Sequence, residues 1–99
     1  MLELDKVLCE QFAACLNQDF EIVFPDGTLP AKLTEAKPWG PDQPAPARQS
    51  FNLTFRIDRN LRFPQGTYRM RHVELGEMEI FLVQVAADQN SSTLEAVFN

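Results

Sequence analysis

The sequence is poor in the residues that most often carry chemistry. It has one histidine, His72, and two cysteines, Cys9 and Cys15, among 99 residues. One imidazole and two thiols cannot complete a zinc site, and no Cys-x-x-Cys pair is present. No metal is expected. Glycine is scarce too: Gly27, Gly40, Gly66 and Gly76 stand singly, so neither a phosphate-cradling loop nor a dinucleotide fingerprint can form, and no cofactor is expected. Basic residues are the minority, 9 Lys+Arg against 14 Asp+Glu for a net charge of −5. That balance disfavours general attraction to nucleic acid or to an anionic membrane surface. No apolar run reaches the roughly 20 residues of a membrane-spanning helix. The opening MLELDKVLCE lacks the basic start and apolar stretch of a secretory signal. Cytoplasmic residence is expected, and two cysteines without an evident bridge fit a reducing compartment.

What is present suits one small folded unit. A 44% hydrophobic and 23% charged composition is that of an ordinary folded chain. The length supports one core, so residues 1–99 are read as a single domain. Leu4, Val7, Leu8, Phe12, Cys15 and Leu16 recur at spacings of three and four, predicting a helix over about 4–17 with Asp5 as its cap and Asn17 as its stop. The same stripe could pack on a core or dock a partner. Cys15 falls within the stripe as a small core residue, whereas Cys9 lies off its centre and is expected on the exposed side. Six residues of helix separate the two thiols by about 9 Å and about 240°, which excludes a bridge within the helix.

Beyond residue 19 the period changes to two. Phe20, Ile22 and Phe24 alternate with Asp19, Glu21 and Val23 and lead into the turn residues Pro25, Asp26 and Gly27. Leu29, Ala31 and Leu33 continue as a second strand in which Pro30 suggests an edge or an irregularity. Phe51, Leu53, Phe55 and Ile57 form the clearest one-sided strand, and residues 66–73, 77–86 and 94–98 supply three more. The stretch 80–83 is apolar on both faces, the pattern of a strand covered on both sides. One helix and six short strands, with no second helix for crossovers, predict a mainly β (α+β) fold. The N-terminal helix would pack on a small antiparallel six-stranded barrel or strongly coiled sheet over 19–99. A flat sheet under one helix is the alternative.

The hairpin after Gly66 can be read more finely. Tyr68, Met70 and His72 share one face with Met78, Ile80 and Leu82, so the connecting loop must be odd in length. A loop of Glu74, Leu75 and Gly76 satisfies this, with Gly76 at the positive-φ position. It sets Arg71 opposite Glu79, with Arg69 on the diagonal.

Candidate sites are few. Residues 48–72 hold six arginines against Asp58 alone, a basic stretch within an acidic chain. Arg69 and Arg71 have glutamates to meet, which leaves Arg59 and Arg62 in a loop as candidates for an acidic partner. Trp39 lies in a proline-rich loop over 38–46 and is either an interface anchor or a cover for the core. His72 is expected inside the sheet as a structural residue. No catalytic residue is expected: the serines lack a nucleophile elbow, and a Cys15–His72 dyad would need tertiary structure to bring the two together. The acid pairs Asp19/Glu21 and Glu77/Glu79 read as solvated faces.

One resemblance stands out. Phe63-Pro64-Gln65-Gly66-Thr67-Tyr68, the following His72, the Leu75-Gly76 turn and the closing Glu95-Ala96-Val97-Phe98-Asn99 resemble a family of small, uncharacterised bacterial proteins with these same motifs. Similarity extends to 51–56 and the N-terminal helix. The chain departs from the pattern at Gln84, where proline is common, and at Leu94, where an aromatic is common. The resemblance implies an accessory or assembly role beside phage-tail-collar-like fibre proteins.

Together these readings predict a non-enzymatic interaction or accessory module, with Trp39, Arg59 and Arg62 meeting a protein partner. The alternative is a small-molecule binder in which Trp39, Tyr68 and His72 wall a barrel mouth. Neither reading fixes the oligomeric state.

Overall fold

The computed structural model of the chain describes residues 9–38 and 50–98. A short helix, α1 (Cys9–Ala13), precedes six strands: β1 (Asp19–Phe24), β2 (Gly27–Pro38), β3 (Phe51–Ile57), β4 (Gly66–His72), β5 (Gly76–Ala87) and β6 (Ser92–Phe98). The strands close into an antiparallel barrel in the order β1-β2-β3-β6-β5-β4, with β4 returning to β1 through Glu21↔Arg71 and Val23↔Arg69. The mainly β fold expected from the sequence is borne out, as a closed barrel rather than an open sheet. Closure leaves no strand of the sheet with a neighbour on one side only along its whole length.

The alternation of apolar residues sends one side chain in two inward. Phe20, Ile22, Leu33, Leu53, Phe55, Met70, Met78, Ile80, Leu82 and Leu94 are wholly or almost wholly buried, so side chains fill the interior. Pro30 faces Glu21 where β2 has only β1 beside it, because pairing with β3 begins at Lys32. Its missing amide hydrogen therefore costs no bond on the β3 side.

Four expectations need correction. The helical segment ends at Ala13, short of Asn17, and its first part and cap (Leu4, Asp5, Val7, Leu8) lie outside the described residues. After Ala14 the chain tightens into three-residue turns: the Cys15, Leu16 and Gln18 amides donate to the carbonyls of Phe12, Ala13 and Cys15. Asn17, at φ 67°, then turns the chain onto β2, where its amide donates to Leu33 O at 2.7 Å. That tightening rotates Leu16 to the surface, 42% exposed, while Cys9 is buried rather than exposed.

The β4–β5 hairpin keeps the expected faces and the positive φ at Gly76, 83°, but its register differs by two residues. His72 pairs with Gly76 around a loop of Val73, Glu74 and Leu75, so Arg71 opposes Glu77 and Arg69 opposes Glu79. A two-residue displacement preserves every face and only exchanges partners. Arg69 meets both glutamates, at 4.0 and 3.8 Å, while Arg71 turns to Glu21 on β1 at 3.3 Å. Finally, the outer face of β5 is not covered: Phe81 and Val85 are half exposed.

Candidate functional site

The barrel has two ends, and different chemistry closes each. At the end holding the start of β3 and the last residues of β6, α1 inserts Phe12 into an aromatic cluster. Its ring lies 6.2 Å from Phe20, 6.0 Å from Phe51 and 5.9 Å from Phe98, and Phe51 stacks on Phe98 at 4.5 Å. His72 completes this end, with its ring 4.6 Å from that of Phe20. Its Nδ1 accepts from the amides of Glu74 at 3.1 Å and Leu75 at 3.3 Å, thereby holding the β4–β5 turn. With Nδ1 accepting, the ring hydrogen sits on Nε2 and is donated to Gln18 Oε1 at 2.8 Å.

Tertiary structure does bring Cys15 to this imidazole, with Sγ 3.9 Å from Nδ1. Proximity alone does not activate a thiol. Burial pushes the Cys15 thiol above its ordinary range, and the Glu74 carboxylate pushes it further the same way. The lone pair of Nδ1 is already shared by two amides, and Sγ also points at Gln11 O, 3.6 Å away. A nucleophilic cysteine needs the opposite setting, a partly exposed thiol with a depressed pKa. Among the described residues, no group of three or more His, Cys, Asp or Glu side chains could hold a metal.

The opposite end is crossed by residues 58–65, a strap that runs from β3 over the ends of β6 and β5 to β4. Two inward-facing polar side chains clamp it. The Gln84 amide is bidentate: Oε1 accepts from Phe63 N at 2.9 Å, and Nε2 donates to Leu61 O at 2.8 Å. Ser92 Oγ accepts from Leu61 N at 3.0 Å and faces the carbonyls of Arg59 at 2.9 Å and Leu61 at 3.1 Å. Asn60 Nδ2 donates to Asp88 O, and Tyr68 Oη donates to Pro64 O at 2.6 Å. Phe63 is buried at this end of the core. The strap backbone is thus pinned while the Arg59 and Arg62 side chains stay exposed. Among the described residues neither guanidinium has a carboxylate partner.

Between the strap and the β1–β2 hairpin lies an open cleft of about 420 Å³, walled by Phe24, Leu29, Leu61, Phe63 and Tyr68 and rimmed by Arg59, Arg62 and Asp26. It contains Tyr68 but not His72. Four residues of strand, about 13 Å, separate those two along β4. Arg59 and Arg62 share the cleft, and Trp39 lies outside the described residues.

A family model, the domain of unknown function DUF6916, matches residues 8–98 of this chain. The chain belongs to that family. The DUF6916 match spans α1 and all six strands, so strap and plug both lie within the family domain. No curated protein and no solved structure matches the chain. In this DUF6916 domain no helix among the described residues is long and apolar enough to cross a membrane.

The residues that build the cleft were only partly visible in advance. Gln84 and Ser92, which fix the strap, were not among the candidates, yet both carry a signal. Each continues the inward face of its strand, after Leu82 on β5 and before Leu94 on β6. A polar residue on an otherwise apolar inward face must meet polar groups there, and the nearest are the backbone groups of a crossing segment.

Proposed function

We propose that this DUF6916 domain is a non-enzymatic interaction module that makes its contacts at the strap end of the barrel. The observation that carries the reading is the pairing of a backbone-pinned strap with two exposed, unpartnered arginines over an apolar cleft. Rigid presentation lowers the ordering cost of binding, and Arg over an apolar floor is a common composition for an interface anchor. The interior is filled, and the buried thiol and imidazole are arranged for packing. The family resemblance suggests a fibre protein of the phage-tail-collar kind as the partner and an accessory role in its assembly, in the cytoplasm. Nucleic acid and membrane surfaces do not suit an acidic chain of this kind.

The experiment is affinity isolation from the native host with the wild-type chain and with Arg59→Glu combined with Arg62→Glu. The expected result is a partner retained by the first and lost by the second, with the two proteins melting at nearly the same temperature. Equal retention by both would remove the strap end from the account.

The cleft volume, within the range of small-ligand sites, supports a second reading, a small-molecule binder at the aromatic mouth. A thermal-shift screen of small aromatic acids tests it, because a bound ligand must raise the melting temperature.

A further inference from the structure

The strap is flanked by three adjoining hollows. The central one is the cleft described above. A second, of about 370 Å³, lies on the β2–β3 side and shares Leu29 and Arg59 with it. A third, of about 420 Å³, lies toward the end of β5 and shares Leu61 and Arg62. Arg59 thus lines both the first and second hollows, Arg62 both the first and third, and the two side chains border the central cleft together. We infer that this strap surface binds an acidic segment of a partner protein, with carboxylates at the Arg59 and Arg62 junctions and an apolar side chain in the central cleft.

Three features favour a chain segment over a compact ligand. The central cleft is open-sided, so a bound segment can lay one side chain in it and continue over the surface on either side. A small ligand instead needs a pocket that encloses most of its surface. The strands close on one another, and the stretch of β2 without a β3 neighbour holds Pro30, which has no amide hydrogen to offer, so a partner segment is read mainly through side chains. The charge also favours an acid at the two arginines. Around the three hollows four basic side chains (Lys32, Arg56, Arg59, Arg62) stand against three acidic ones (Asp19, Asp26, Asp58). Arg56 and Asp58 pair with each other at 3.1 Å. The excess of one base falls in the central cleft, where Arg59 and Arg62 stand with Asp26 alone, in a chain that carries −5 overall. An Arg fork suits a carboxylate better than a lone lysine ammonium does. The central cleft adds the faces of Phe24, Leu61 and Tyr68 for an aliphatic or aromatic group.

This inference rests on the interaction reading above and narrows it to one partner chemistry. The test is selection of random decapeptides from a display library on immobilised wild-type protein, with a parallel column of Arg59→Glu/Arg62→Glu. Enriched peptides are then titrated into isotope-labelled protein, and backbone amide shifts are followed by NMR. The expected result is enrichment of sequences combining Asp or Glu with apolar residues. They should shift amides at 24–29 and 59–63, bind at least about tenfold more weakly to the double variant, and lose affinity when their acids become Asn or Gln. Enrichment of neutral or basic peptides, equal enrichment on the variant column, no enrichment, or shifts confined to another face would overturn the inference. N-acetylphenylalanine serves as the small-ligand arm, and binding as tight as that of the peptides would make the cleft a compact-ligand pocket instead. If the double variant loses the native partner while acidic peptides fail to bind, the strap remains the contact surface and only the acidic-segment assignment falls.

Discussion

The two ends of the barrel answer one geometric problem in different ways. A closed sheet with an apolar interior must cover two openings, and the helix end does so with a cluster of aromatic rings and a histidine whose nitrogens are both engaged. The strap end does so with backbone, held down by side-chain amide and hydroxyl groups. The reactive groups, a thiol and an imidazole, are buried at the helix end. The accessible groups are at the strap end, where two guanidinium groups and a phenol share a cleft with the Asp26 carboxylate. Proximity of suggestive residues and availability of a site are thus separate properties, and in this molecule they occur at opposite ends.

The contrast can be broken by substitution, most severely at the plug. Phe12→Ala empties the centre of the aromatic cluster and should cost about 3–5 kcal/mol, measured by urea unfolding. A loss below about 1 kcal/mol would mean that the helix is not the plug. His72→Leu leaves the Glu74 and Leu75 amides and Gln18 without their partner, an expected loss of about 2–3 kcal/mol. At the strap, Gln84→Ala removes two side-chain–backbone bonds for about 1–2 kcal/mol. Its signature should be local, with faster hydrogen exchange at the Phe63 amide and unchanged exchange at Glu74. Exchange that speeds up equally at both would show that the ends are not independent.

Acid separates them more gently. Hydrogen bonds from Thr28 and then Arg71 hold the Glu21 carboxyl below its usual 4.5. The Asn90 amide and the Ser91 hydroxyl, followed by weaker contributions, hold Asp88 below its usual 3.8. A carboxyl with a depressed native pKa binds fewer protons folded than unfolded, so its stabilisation is present above the usual value and is lost as pH falls below it. Stability should therefore fall as pH drops below about 4.5, with a shallower fall in Glu21→Gln; an identical pH profile for the variant would contradict the assignment. The smallest effect belongs to Arg59→Glu with Arg62→Glu, within about 0.5 kcal/mol of wild type, because both side chains are exposed and unpaired.

Much of this architecture is written in short-range patterns. Phe51, Leu53, Phe55 and Ile57 declare a one-sided strand, and all four are buried on one face. Parity places His72 with Met70 inside, and Gly76 marks the turn. Register was harder, because a displacement of two residues changes no face and so leaves the hydrophobic pattern silent about which glutamate Arg69 meets. The helix end was harder again: a preference for helix through Asn17 yields to the bonds that tie Asn17 and Gln18 to Leu33. The Cys15–His72 contact, spanning 57 residues of sequence, and the central cleft, built from three separate segments, are products of closure that no local window contains.

Burial of the Cys15–His72 neighbourhood can be probed chemically, by alkylating Cys15 with iodoacetamide in a Cys9→Ala background near neutral pH with and without denaturant. Native Cys15 should react at least about a thousandfold more slowly than in the unfolded chain, at a rate set by opening of the fold. Native labelling as fast as that of the unfolded thiol, and slowed by His72→Gln, would instead reveal an accessible, imidazole-activated cysteine and move the functional site to the opposite end of the barrel.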